Sequence, residues 1–286
     1  MLIDCAGALL AFIFGACVGS FVGVVAYRLP REISIVTPRS FCPSCKRPLA
    51  LSSNIPMLSY LLLGGRCRDC HAAIGFRYLL AELALGAAAT YLYLHFPLAD
   101  AIARFAFCAA LFVVALIDYD WRVIHNAITF VGILLGFLAA WLIVPEVGWK
   151  SSLAGLVAGA GFLFLTGLIY SLLRGAEGVG MGDVFLLGMA GSFLGLAGVL
   201  FTLFAGSILG AIGGIAFALT GGAPPPPEAE IPEAIAAVTG AGSMDSINPE
   251  DVPLLRTAVP FGPFLAFAAA IFALFQPQLV GWYLAR

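Results

Sequence analysis

Long apolar runs, broken by short polar stretches, fill most of this chain, and two longer polar segments interrupt them at 28–77 and 221–258. The runs are continuous and lack the strict alternation of membrane β-strands. A helix needs roughly 20 apolar residues to cross a bilayer core. On that length the pattern predicts about eight membrane helices, over 5–27, 78–96, 100–118, 126–145, 152–173, 184–198, 199–220 and 260–283. The sixth is short, and its division from the seventh is placed at Gly195-Leu196-Ala197-Gly198. Composition agrees. Of 286 residues, 62% are hydrophobic and 10% charged, with mean hydropathy +1.03. Soluble domains run nearer half apolar and a quarter charged. The expected fold class is an all-α polytopic membrane protein, with a small polar insert between its first two membrane helices.

The net charge of −2 is uninformative, whereas the placement of charge is not. Arg28, Arg31, Arg39, Lys46, Arg47, Arg66, Arg68 and Arg77 all fall in 28–77, out of 14 basic residues in the chain. Basic loops stay on the cytoplasmic side. The predicted spans then put Arg122, Arg174 and Arg256 on that side as well, leaving Arg104, Lys150 and Arg286 on the other. Both termini are therefore expected outside. Asp4 precedes the first run with no basic stretch, so this run reads as a retained helix rather than a cleaved signal.

The first polar segment carries Cys42-Pro-Ser-Cys45 and Cys67-Arg-Asp-Cys70. Each pair offers two thiolates from one tight turn, and four thiolates complete tetrahedral zinc. About 50 residues bury little core, so a structural metal would supply much of their stability. A cytoplasmic location disfavours the plainer alternative, disulfides. Four thiolates leave no open position for catalytic zinc, and they make His71 redundant as a ligand. Cys5, Cys17 and Cys108 sit in apolar runs and read as core or lipid-facing thiols. The basic residues are accounted for by orientation, so no nucleic-acid partner is expected. The second polar segment opens on Pro224 to Pro227 and holds Glu228, Glu230, Glu233, Asp245, Glu250 and Asp251 against Arg256. It reads as a stiff spacer followed by an acidic linker, and its charge would attract a basic partner. Gly15 and Gly19, and the glycines of 188–214, suit close helix packing. No secure internal repeat is evident.

Two carboxylates stand out. Asp183 closes Gly180-Met181-Gly182-Asp183 ahead of an apolar run, and Asp118 ends another in Leu116-Ile117-Asp118-Tyr119-Asp120. A carboxylate at a membrane helix end is costly unless paired, hydrated or used. The predicted topology puts both at similar depth on the cytoplasmic side, where they can share one proton and activate one water. Gly180 and Gly182 let backbone and an extended substrate approach Asp183 closely. The plainer readings are that Asp183 is the N-cap of span six and that Asp118 and Asp120 mark a helix end. Asp120 is the rival partner, although a helix running past Asp118 would turn it to another face. Glu82, just inside span two, is a further buried carboxylate, and Glu177 reads as solvated. His125 and Asn126, which open span four, read as interfacial polar residues.

In this order the motifs resemble those of bacterial type IV prepilin peptidases, almost end to end. Gly19-Ser20-Phe21 with Tyr27-Arg28-Leu29-Pro30 precedes the cysteine pairs. Asn54-Ile55-Pro56-Met57-Leu58-Ser59-Tyr60 and Gly65-Arg66 lie between the pairs, and Arg77-Tyr78 and Glu82 follow. The two aspartate motifs and Val259-Pro260-Phe261-Gly262-Pro263-Phe264-Leu265 complete the set. The resemblance implies an inner-membrane aspartic endopeptidase facing the cytoplasm, with Asp118 and Asp183 catalytic. Its substrates would be prepilins and pseudopilins of pilus and type II secretion systems, cut after glycine to remove a short basic leader. It also implies methylation of the new N-terminal residue, usually phenylalanine, by S-adenosylmethionine, a function associated with 28–77. The organisation would be a first helix at 1–27, the four-cysteine domain at 28–77, and a membrane peptidase domain at 78–286 carrying the insert 221–258.

The chain departs from the pattern at Ile124-His125-Asn126, where the family usually has Ile-Pro-Asp, and at Gly23, where it often has asparagine. The second departure bears on methylation more than on cleavage. Two other classes fit parts of the sequence: a proton-coupled transporter using Asp118, Asp183 and Glu82, and a non-enzymatic zinc scaffold of a secretion machine. The first would place its carboxylates near the midplane and show repeat symmetry. The second would tolerate loss of both aspartates.

Overall fold

A computed structural model describes residues 2–175, 178–219 and 260–284. Glu177 and the insert 221–258 lie outside the described residues, as do Arg256 and Arg286. The fold is helical, without named strands among the described residues, and divides into two compact units, Met1–Val113 and Val114–Arg286.

In the first unit, helix α1 (Leu2–Arg28) packs along α3 (Phe76–His95). Gly15 and Gly19 explain the close approach. A Cβ on Gly19 would lie 2.6 Å from the Ala81 carbonyl oxygen, and one on Gly15 would overlap the Leu85 carbonyl. Small residues four apart let backbones meet where lipid provides no hydrophobic drive. Between these helices run two short 3-10 turns, Leu29–Arg31 and Leu51–Asn54, and the single-turn α2 (Leu58–Leu62). Arg28 is buried and ties the start of this segment down, donating to the Ser34 carbonyl at 2.9 Å and the Arg39 carbonyl at 3.2 Å. Helix α4 (Leu98–Trp121) begins in this unit with a buried Arg104–Asp100 ion pair at 2.7 Å, one turn apart.

The second unit takes the end of α4, then α5 (Asn126–Leu142), α6 (Gly148–Arg174), α7 (Met181–Leu219) and α8 (Gly262–Leu284). Helix α7 is its axis, packing against α5, α6 and α8. A Cβ on Gly155 of α6 would lie 2.5 Å from the Gly191 carbonyl oxygen of α7, so these two helices also meet backbone to backbone.

Every predicted span falls on a helix. Helices α1, α4, α6 and α7 are long and apolar enough to cross a membrane, and α5 and residues 262–276 of α8 are shorter apolar helices. Spans six and seven form one 39-residue helix, broken at Gly195, the first residue of the predicted division. Gly195 adopts φ 70°, ψ −171°, a region essentially closed to other residues. The break is satisfied from α6: Ser151 Oγ accepts the Leu196 N–H at 3.4 Å, and Ser152 donates to the Ser192 carbonyl at 2.7 Å. Gly195→Ala should therefore lower stability by about 1–3 kcal/mol through backbone strain alone. A thermal midpoint in detergent equal to wild type would show that the break tolerates a side chain.

Candidate active site and four-cysteine cluster

Asp118 lies in the last turn of α4 and is 6% exposed. The helix ends three residues later, and Arg122 caps it in the left-handed region (φ 57°), its N–H donating to the Asp118 carbonyl at 2.9 Å. Asp183 is the third residue of α7 and half-buried. It is thus inside the first turn rather than at the N-cap, where the helix dipole favours a negative charge. Its carboxylate folds back over the preceding loop, and a Cβ on Gly180 would sit 3.5 Å from its Oδ2. The structure brings the two aspartates within electrostatic range of each other.

Two residues that the sequence named only within longer motifs, with no role at the site, join them. Gly262, at the start of α8, directs its backbone N–H to the Asp118 carboxylate. A Cβ there would lie 2.6 Å from Asp118 Oδ2 and 3.2 Å from Ile124 Cδ1. Buried Ile124 also touches the other side, since a Cβ on Gly182 would lie 2.7 Å from Ile124 Cβ. Ile124 therefore wedges between the glycine beside Asp183 and the glycine beside Asp118. Asp118 Oδ2 is buried with no hydrogen-bond partner among the described residues. An unsatisfied buried oxygen of this kind is expensive. It suits a place where water or substrate is meant to bind.

The other candidates separate from this pair. Helix α4 runs on through Asp120 to Trp121, so Asp120 lies on a different face from Asp118. Glu82, in the first unit, is 8% exposed, and its Oε2 accepts the Met57 N–H at 2.6 Å. It latches the Asn54–Tyr60 stretch to α3. His125 is the N-cap residue of α5 without a capping side-chain bond, and its Nδ1 is buried without a partner among the described residues. The helix starts at Asn126 despite the missing proline.

The four cysteines converge. The Sγ atoms of Cys42, Cys45, Cys67 and Cys70 all lie within 4.8 Å of one another, and Cys42 and Cys70 are 3.8 Å apart. A tetrahedron with Zn–S bonds of about 2.3 Å requires S–S edges of about 3.8 Å. None of the cysteines is in a disulfide. The backbone builds each pair the same way. Cys42 N–H bonds the Arg47 carbonyl at 2.9 Å and Lys46 N–H the Cys42 carbonyl at 2.8 Å. In the second turn Cys67 N–H bonds Ala72 at 2.9 Å and His71 N–H bonds Cys67 at 3.0 Å. Lys46 and His71 both take positive φ, 58° and 56°. Residues 40–49 and 65–74 are thus a structural duplication, not visible as sequence similarity, in which His71 occupies the turn position of Lys46 and is no ligand. The surroundings treat two members of the cluster differently, favouring the thiolate at Cys42 and the thiol at Cys70. At Cys42 burial opposes ionisation, but the backbone amides of Cys45 and Ser44 outweigh it and bring the thiol to about 7. At Cys70 the Ala72 amide favours the thiolate, yet burial and the other three thiols prevail and push it up to about 11.

A cavity in the first unit adjoins this cluster. Cys42 and Cys67 form part of its wall, as do Gly23, Tyr27, Tyr60, Tyr78 and Glu82. Gly23 seats the Tyr78 ring, since a Cβ there would lie 2.7 Å from Tyr78 Cδ1.

Comparison with known proteins covers both units. Residues 13–96 match the bacterial peptidase A24 N-terminal domain, and residues 105–215 match the type IV leader peptidase family. A prepilin leader peptidase/N-methyltransferase of Burkholderia pseudomallei is 35% identical over 290 residues, covering 91% of this chain and 82% of that protein. The protein of the same name from Bacillus subtilis is 37% identical over 212 residues, covering 73% and 83%. That from Pseudomonas aeruginosa is 31% identical over 304 residues, covering 96% and 93%. No solved structure matches. With these matches running through both units, the chain belongs to the type IV leader peptidase family.

Proposed function

We propose that this chain removes the short basic leader of type IV prepilins and pilin-like secretion proteins after glycine, by aspartic catalysis, and then N-methylates the new N-terminus. The observation that carries the first half is the buried Asp118 Oδ2, without a hydrogen-bond partner among the described residues, held against Gly262 and within electrostatic range of Asp183. One carboxylate is ionised and takes a proton from water as it attacks the scissile carbonyl. The other is protonated and donates to the carbonyl oxygen, after which the C–N bond breaks and the amine leaves with a proton. The two titrate as a pair, so the roles belong to the pair. A prepilin suits this site, since its basic leader is in water, its apolar helix is in the bilayer, and the cut lies between. The family's inner-membrane setting, with the site towards the cytoplasm and both termini outside, follows the charge asymmetry of the sequence. A transporter reading is disfavoured because both carboxylates sit at helix ends rather than mid-helix.

For methylation, S-adenosylmethionine when bound would supply an electrophilic methyl to the new amine, leaving the C–S electron pair on sulfur, and the amine would lose a proton to water. The four cysteines suit Zn2+ as a structural ion closing the two duplicated turns. Purified protein should carry about one zinc per chain, and Cys67→Ser should remove it. Because thiolates are the ligands, metal release should increase as pH falls. Elemental analysis finding zinc unchanged in Cys67→Ser would reject the assignment.

The overall reading is tested by incubating a prepilin with membranes and weighing the product. Leader loss reports cleavage, and a further gain of about 14 Da, one methyl for one hydrogen, reports methylation. The acidic insert is proposed to draw in the basic leader. Deleting 225–250 should then flatten the dependence of cleavage on leader charge and on salt, whereas unaltered salt dependence would assign the insert no such part.

A further inference from the structure

We propose that the cavity of the first unit is the seat of the methyl donor, Tyr60 taking the sulfonium of S-adenosylmethionine and Glu82 taking the ammonium. The inference rests on the methyl-transfer reading above and adds where the donor binds. S-adenosylmethionine carries a sulfonium, an ammonium, a carboxylate and a flat heterocycle, so its site needs aromatic faces and a buried acid.

The cavity offers both. Tyr27, Phe41, Tyr60 and Tyr78 line the cavity. Arg31, Arg28 and Arg77 already lie over the rings of Tyr27, Phe41 and Tyr78 at 4.1, 5.5 and 5.4 Å, so of the four Tyr60 is the ring left to face a ligand cation. Desolvated cations bind aromatic faces well. Arg28 and Arg68 also line the cavity and suit the ligand's carboxylate. Glu82 is the only acidic residue of the lining, and it is buried. Its Oε2 is fixed by the Met57 N–H at 2.6 Å, which holds the carboxylate in place at the wall. Asn54, on the stretch that Glu82 latches, brings an amide suited to the edge of an adenine. Cys42 and Cys67 belong to the same wall, so the metal cluster and the donor site share residues. That arrangement gives the four cysteines a part in methylation without any contact between metal and methyl group.

The test is direct binding to the full-length protein in detergent by calorimetry, using S-adenosylmethionine and its uncharged-sulfur product S-adenosylhomocysteine. Tyr60→Leu should weaken S-adenosylmethionine about tenfold or more, and S-adenosylhomocysteine less, because only the former presents a cation to the ring. Tyr60→Phe, which keeps the aromatic face, should restore affinity to within about twofold. Glu82→Gln keeps an acceptor for the Met57 N–H and should weaken both ligands. Metal content equal to wild type in each variant shows that the unit remains folded. Unchanged affinity in Tyr60→Leu and Glu82→Gln, with wild type binding well, would overturn the cavity and leave the methyltransferase reading intact. A wild-type protein that neither binds the donor nor adds the methyl would overturn both.

Discussion

Asp118→Asn and Asp183→Asn are each expected to abolish leader removal, with turnover falling about a thousandfold or more, the upper range for losing a positioned acid or base. Asparagine keeps the size of the side chain and cannot exchange a proton in this role, so the loss would report chemistry rather than packing. The double variant should be no worse than either single one, because groups that act as a unit lose their function together. The measurement is time-resolved mass analysis of a prepilin processed by membranes holding equal amounts of each protein. Unimpaired processing by both variants would remove the aspartic pair and turn attention to Asp120 and Glu82.

Gly262→Ala is the second large effect. The new methyl would lie 2.6 Å from Asp118 Oδ2, 3.0 Å from its Cγ and 3.2 Å from Ile124 Cδ1. Neither neighbour has room to yield: Asp118 is 6% exposed and Ile124 is 9% exposed and pressed against Gly182. Relief must come from moving the carboxylate or the start of α8. A shift approaching 1 Å at a reacting group costs on the order of 100-fold in rate. Gly161→Ala is the matched control. Nothing lies within 4 Å of its added Cβ, and the substitution sits inside α6. There the change should be neutral or stabilise by about 0.5–1 kcal/mol through helix propensity. Full activity in Gly262→Ala would mean that the close contact with Asp118 is incidental.

The parts legible in the sequence are those encoded by composition and short spacing. Apolar run length located the helices, and the Gly195-Leu196-Ala197-Gly198 stretch marked the break in α7 at Gly195. Two C-x-x-C pairs announced a cluster because each turn sets its own geometry, whatever the rest of the chain does. The acidic residues Asp118 and Asp183 stood out against apolar surroundings. What the sequence withheld depends on contacts between distant segments. Ile124 is an ordinary apolar residue until α7 and α8 place glycines on either side of it. Gly262 was visible within a Pro-Phe-Gly-Pro stretch, yet nothing local tied it to a carboxylate 144 positions earlier. The duplication of 40–49 in 65–74 is carried by backbone hydrogen bonds and left-handed turns, which unlike side chains can adopt equally. The Glu82 latch joins residues 25 apart through a backbone amide, a partner that no side-chain pattern records.

The break at Gly195 also sets how this molecule fits its lipid. The segment of α7 before it, 181–194, rises only roughly 21 Å, and the 17 residues of α5 rise roughly 26 Å. The hydrocarbon layer is about 30 Å thick. The segment of α7 that carries Asp183 and the neighbouring α5 are therefore shorter than that layer, while α4, which carries Asp118, and α6 are long enough at 24 and 27 residues. A bilayer meets such a mismatch by thinning against the short elements. Thinned lipid would draw the water boundary inward towards Asp183. On the mechanism proposed above, the hydrolytic water would then have a short path, and the scissile bond of a membrane-anchored substrate would not need to be pulled far from its own helix.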